Sequence, residues 1–240
     1  VFSAGLRLVY FYERVHAPDF AAPILDPQLN DYWARALVTG GWPPPPGAAD
    51  PEIRTTPYGR PPGYPFTLAL IYALFGLHYA APVLIQMLLG VGNALLAFVI
   101  ARRVWGNLAG LVAAALMGTY WANIYFEGEL TCPVWTTTLT LAVLLLLLQW
   151  HERGGWGRLL AAGALMGVFA LFRPNALLPA LALGIWCGWQ YTKTSAPVGR
   201  LSSAAESHNA DPELDARRLR TAALPFATLS LSEKAFSVHP

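Results

Sequence analysis

Charge is what this sequence is short of. Only 12% of its 240 residues are Asp, Glu, Lys or Arg, against roughly 25% in an average soluble domain. With 55% apolar residues and a mean hydropathy of +0.41, such a chain cannot be kept in water as a soluble globule. A net charge of +2 is too small for a nucleic-acid partner. There are 2 cysteines, Cys132 and Cys187, both in or beside apolar runs. That excludes a disulfide framework and a zinc spacing, and it leaves two buried thiols. The histidines lack ligand spacing, and His78 and His151 read as structural loop residues. Neither a basic n-region nor a cleavage site marks the first apolar run, so it is not a signal peptide. Internal repeats are absent too.

What is present is a series of apolar runs interrupted by one long polar stretch. Val1 to Phe11 is apolar but too short for a crossing, which needs about 20 residues. It reads as the second half of a first transmembrane helix (1–11), and the sequence as a piece of a longer protein. A polar stretch of 12–63 follows, with Glu13, Asp19, Asp26, Asp31, Asp50 and Glu52 and the run Pro43-Pro44-Pro45-Pro46. Within it, Leu29 to Val38 predicts a short amphipathic helix with Leu29, Trp33, Ala36 and Leu37 on one face. The prolines predict extended chain. A loop this long, rich in aromatic and acidic residues, points to function.

Further apolar runs occupy 64–81, 82–101, 108–126, 133–150 and 159–191, the last broken at Arg173-Pro174-Asn175. The segment 64–192 is thus a set of transmembrane helices, and 193–240 is a polar, weakly structured tail. The fold class is an all-α polytopic transmembrane bundle. The basic pairs Arg102-Arg103 and Arg153/Arg158 belong on the cytoplasmic side, which puts Glu127 and Glu129 outside. If the 12–63 loop is also outside, an even number of crossings must separate Gly63 from Glu127. Three runs lie between them. Either one run is short or re-entrant, or one face is misassigned.

Several residues could carry chemistry, each with a plain alternative. Asp26 is either a helix-capping residue or a reactive carboxylate, and Asp31 a loop charge or its support. Glu127 and Glu129 are solvated charges at a helix end or ligands for a hard divalent cation. Arg60 is an interface anchor or a clamp for a lipid-borne phosphate. Arg173, in mid-run, must find a partner or a wet cavity.

The succession Leu25-Asp26, Asp31-Tyr-Trp-Ala34, Gly-Gly-Trp and Pro61-Pro-Gly-Tyr-Pro65, with the helix ending Leu74-Phe-Gly76, resembles the polyprenyl-phosphate-sugar-dependent glycosyltransferases of the GT-C fold. The branch it looks most like is family 39, with its protein O-mannosyltransferases and aminoarabinose transferases. Ala101-Arg-Arg-Val-Trp-Gly106, Tyr125-Phe-Glu-Gly-Glu-Leu130 and Gly163 through Phe172-Arg-Pro-Asn175 extend the likeness, which runs from about Arg7 to Trp189. The resemblance implies that Asp26 is the catalytic carboxylate of the first extracytoplasmic loop. It implies that Glu129, with Glu127 as second choice, is the acidic residue facing it. Arg60 falls where aminoarabinose-type members place a basic residue. This chain departs from the pattern in having Gly59 where those members have Glu, and Asn30 where the family has an aromatic.

The mechanism so implied is inverting transfer of a sugar from a polyprenyl-phosphate carrier to an acceptor of unspecified kind, at a bilayer of the bacterial inner (plasma) membrane type. A carboxylate takes the acceptor's proton, and the leaving phosphate is met by Arg60 or a divalent metal ion. Residues 1–240 alone are expected to be inactive. The rival is a non-enzymatic polytopic protein, a transporter half or assembly subunit. A transporter would want paired broken helices, and only the Arg173-Pro174 break qualifies.

Overall fold

The computed structural model describes residues 2–18, 20–42 and 60–194; the expectations for the proline run and for the tail after Thr194 lie outside the described residues. The chain divides into two compact units, Val1–Ile185 and Trp186–Pro240, and the first holds every candidate site residue. Among the described residues every regular element is helical. They are α1 (Phe2–His16), α2 (Asp26–Thr39), α3 (Gly63–Phe75), α4 (Ala80–Trp105), α5 (Asn107–Thr119), α6 (Trp121–Glu127), α7 (Pro133–Arg153), α8 (Trp156–Phe172), a 3-10 turn (Pro174–Ala176) and α9 (Leu177–Thr194). The expected all-α class is thus the observed one.

Length sorts these helices by what they can span. α4 has 26 residues and α7 has 21, about 39 and 32 Å against roughly 30 Å of hydrocarbon. Both are long and apolar enough to cross, and the pair α5 and α6, bent by 50°, makes a third candidate span. The bend has an identifiable cause. Tyr120 is extended, so the helical ladder breaks there, and Arg7 Nη1 donates to the Gly118 carbonyl at 3.0 Å. A backbone carbonyl left open inside apolar surroundings is costly unless something donates to it. Glycines at positive φ end the helices at the opposite end of the bundle, Gly106 (φ 90°) after α4 and Gly154 (φ 64°) after α7. There Arg103 meets Glu152 at 3.3 Å, so the basic residues in the last turns of both helices lie at one end. His151, expected in a loop, is instead in the last turn of α7.

The parity problem resolves at α3. It has 13 residues, about 20 Å, and both of its ends lie on the side of the 12–63 loop. At its start, a Cβ on Gly63 would stand 2.8 Å from the Leu171 carbonyl group at the end of α8. Past its end, Tyr79 donates to Asp31 of α2, as Tyr72 does from the last turn of α3. α3 therefore starts and ends at the loop end of the bundle, and its 13 residues are shorter than a crossing helix needs. Only α4 and the α5–α6 pair then separate Gly63 from Glu127, an even number. The run at 64–81 looked like a crossing because its outer face is as apolar as its inner one: Phe66, Leu70 and Leu74 are exposed while Leu68, Ala69 and Tyr72 are buried.

The described residues of the loop include more helix than its composition implies. α1 continues through Tyr12 to His16, so the helix outlasts the apolar run that ends at Phe11. α2 packs on α3, burying Leu29, Trp33 and Ala36 as expected; Leu37, assigned to the same face, is exposed. Ala34, Tyr64, Leu68, Tyr72, Val83, Met87, Leu130 and Phe172 form the core under α2. Full burial of a side chain such as Leu68 is worth about 1.5–3 kcal/mol next to water, which is the setting of an interfacial helix.

These contacts fix an expected labelling pattern. On a background lacking Cys132 and Cys187, Thr39→Cys should react with an impermeant maleimide added outside whole cells, because α2 is on the loop side. Asn107→Cys should react only after permeabilisation, because basic residues resist translocation. Both positions are exposed. Equal reaction at the two would overturn the arrangement.

Candidate active site

The sequence-predicted site residues gather at the loop end, and the structure gives them different surroundings. Asp26 is the first residue of α2. It follows Leu25, whose φ of 57° is the one positive value at a non-glycine residue among the described residues. Such a backbone costs about 1–3 kcal/mol and persists only where the surroundings impose it. The helix cap is Leu25 and no side-chain cap bond forms, so Asp26 does not do the capping its sequence position suggested. Its carboxylate, 61% exposed, instead accepts from Arg60 Nη1. Arg60 stands just before Pro61-Pro62 and the start of α3, so the pair bridges the first turns of α2 and α3.

Glu129 sits in the turn between α6 and α7. It accepts from Arg14 Nη2 at 2.9 Å, and Arg14 in turn lies over the Phe20 ring, 5.7 Å from its centre. The same turn is tied to α2, because Asn30 Nδ2 donates to the Leu130 carbonyl at 2.9 Å. Asn30 is one helical turn on from Asp26, about 6 Å along the axis. Asp26 and Glu129 therefore lie at the same end of the bundle. Asn30 is thus the residue that fastens α2 to the acidic turn.

Glu127 is engaged elsewhere. It accepts from Arg7 Nε and Nη2 at 2.6 and 2.7 Å, with both residues 2% exposed. Arg7 spends its remaining nitrogen on Ser3 and the Gly118 carbonyl. This is a closed bidentate pair holding α1 to α6.

Asp31 is not an exposed loop charge. It is buried and accepts from Arg35 Nε at 2.9 Å, Tyr72 at 2.6 Å and Tyr79 at 2.9 Å. Burial, reinforced by the Asp31 charge, pushes the Tyr72 phenol far up and the Tyr79 phenol up to about 12. Both stay O–H donors at any physiological pH, so the Asp31 box fixes α2 on α3 without a titrating member among the tyrosines.

Arg173 is exposed at the break between α8 and the 3-10 turn. Its neighbour Phe172 packs on Gly63, so it too lies at the loop end, near the start of α3. The break removes the difficulty of an arginine in mid-membrane. The described donor set does not suit a divalent cation. Asp26, Glu127 and Glu129 each face an arginine, and no group of three His, Cys, Asp or Glu side chains comes together among the described residues.

Arg7, Arg14 and Gln86 are site-forming residues that the sequence alone did not single out. A signal for them exists, since an ionisable or amide side chain in an apolar segment must have a polar partner. The partners could not be named, because Arg7 and Glu127 are 120 residues apart.

A polytopic helical membrane protein with reachable carboxylate–guanidinium pairs at one face is the class that fold and site define. The chain belongs to the dolichyl-phosphate-mannose-protein mannosyltransferase family, whose sequence model matches residues 59–198. It is a membrane glycosyltransferase of the mannosyltransferase type. The matched stretch takes in Arg60, Glu127, Glu129 and Arg173, while Asp26 and Asp31 precede it. No curated protein and no solved structure matches the chain.

Proposed function

We propose that the protein transfers a sugar from a polyprenyl-phosphate carrier to an acceptor hydroxyl or amine on the extracytoplasmic face, with Asp26 as general base. The observation that carries this reading is the Asp26–Arg60 pair at the loop end of the bundle, the end that also carries Glu129. A base and a phosphate-binding cation are side by side there, and both are partly exposed. The bacterial inner membrane is the setting the family resemblance implies.

The acceptor's proton passes to the Asp26 carboxylate as its heteroatom bonds to the anomeric carbon. The bond from that carbon to the phosphate oxygen breaks, and its electron pair leaves on the phosphate. Arg60 offers that growing negative charge a guanidinium with two parallel N–H donors. No metal is required in this scheme, since arginine supplies the positive charge. Glu129, held by Arg14, would orient the sugar's hydroxyl groups. Proton removal by a placed carboxylate is worth about 10²–10⁴ in rate.

Incubating membranes that carry the protein with labelled polyprenyl-phosphate sugars, then identifying the labelled product, tests the reading directly. A labelled acceptor that depends on Arg60 is the expected result. Membranes active only with nucleotide sugars would overturn the choice of donor.

A further inference from the structure

Gln86 lies in the second turn of α4 and is wholly buried. All of its hydrogen-bonding groups are in use. Nε2 donates to the Glu127 carbonyl at 2.9 Å and to the Glu129 carbonyl at 2.8 Å. Oε1 accepts from the Tyr64 hydroxyl at 2.8 Å. An amide can point only one way here. Were it flipped, the oxygen would face two carbonyls and the NH2 would lose its acceptors. The two carbonyls enforce the orientation, because each can only accept, and the Tyr64 O–H then covers the amide oxygen. A single side chain thus joins the first turn of α3, close after Arg60, to the turn that carries Glu129.

The neighbouring positions on the same stripe of α4 serve the same turn. One helical turn on, Gly90 leaves room for the Glu127 carboxylate; a Cβ there would collide with it. Asn93 Nδ2 donates to the Val134 carbonyl at 3.3 Å, at the start of α7. The segment from Gly128 to Cys132 lies outside both α6 and α7. It is held by turn bonds of its own, by Arg14 and Asn30 from α1 and α2, and from below by Gln86 of α4.

We propose that Gln86 is a positioning residue for the transfer reaction, holding the Glu127–Glu129 turn so that Glu129 stands at a fixed place relative to Arg60 and Asp26. The proposal rests on the reading of Glu129 and Asp26 as site residues, but its structural half can be measured apart from activity. Cys132 lies on the same turn, partly buried and free, and reports on it. Gln86→Met keeps the length of the side chain and removes both donors and the acceptor.

In a Cys187→Ser background, Gln86→Met should raise the alkylation rate of Cys132 about tenfold and lower kcat at least about tenfold, with KM for the lipid donor within about twofold, since misplacing a group that acts in the transition state appears in kcat. Tyr64→Phe keeps both donors but strands the buried amide oxygen without a donor, which weakens the hold of Gln86 on the turn. It should move both readings in the same direction by about threefold, and it covers the case in which Gln86→Met fails to insert. Unchanged Cys132 reactivity in an inserted variant would overturn the proposal. So would a raised KM with kcat intact, which would mean lost donor binding instead of a misplaced turn. If Asp26→Asn remains active while Gln86→Met still frees Cys132, the assigned chemistry fails and the hold on the turn stands.

Discussion

Asp26→Asn is expected to cut sugar transfer at least about a hundredfold, because an amide cannot take the acceptor's proton, while leaving the protein inserted and folded. The structural cost of the change is small on two counts. Asp26 makes no capping bond, so the helix start loses nothing. Its pair with Arg60 is largely exposed, and exposed pairs contribute about 0–1 kcal/mol. Asn can still accept from Arg60 through its oxygen. Asp31→Asn makes the opposite comparison. There the carboxylate is buried under three donors, each bond to a charged group being worth about 1.5–3 kcal/mol. That variant should lower the melting temperature of the purified protein and loosen α2 from α3. The measurement is transfer per mole of inserted protein, alongside thermal unfolding in detergent. Activity of Asp26→Asn matching the parent at equal expression would remove the catalytic assignment and leave only a family relationship.

How much of the fold and site is legible in the sequence depends on the range of the interaction. The helices are readable because lipid demands long apolar runs, and their ends follow from local residues such as Pro133, Gly106 and Gly154. The amphipathic helix in the loop is readable from the spacing of Leu29, Trp33 and Ala36. The break at Arg173-Pro174 is readable from the missing donor and fixed φ of proline. What hydropathy could not distinguish was a crossing helix from one lying on the surface. α3 is apolar on both faces, and it is its contacts at both ends, Gly63 with Leu171 and Tyr72 with Asp31, that put its start and its end at the same end of the bundle. The roles of the four carboxylates were open for the same reason. Asp26, Asp31, Glu127 and Glu129 are alike in sequence, and each is defined by an arginine: Arg60, Arg35, Arg7 and Arg14 respectively. Three of those arginines are distant in the chain. Arg35 alone is a helical neighbour, at i+4, and that pair could have been proposed from spacing.

The Arg7–Glu127 pair is where the largest loss of stability is expected. Arg7 lies about two helical turns below Arg14, roughly 10 Å from the loop end of α1. Its guanidinium serves Glu127 twice, Ser3 and the Gly118 carbonyl at the α5–α6 bend. Glu127→Ala leaves that cation buried with only neutral acceptors, and Arg7→Met leaves the carboxylate with none of its guanidinium donors. Each single change should cost about 3–5 kcal/mol, the usual result of stranding one buried charge. The double variant Arg7→Met/Glu127→Ala should recover most of that loss, because the pair's own desolvation cost vanishes with it. It should not recover all of it, since the Gly118 carbonyl would lose its donor at the bend. Gly90→Ala provides an independent probe, as its methyl would enter the space of the Glu127 carboxylate and force the pair apart. Unfolding by denaturant in detergent, with the two single variants and the double, measures the coupling. Single variants as stable as the parent would show that the pair is solvated. A double variant losing the sum of the two singles would show that the two charges act independently.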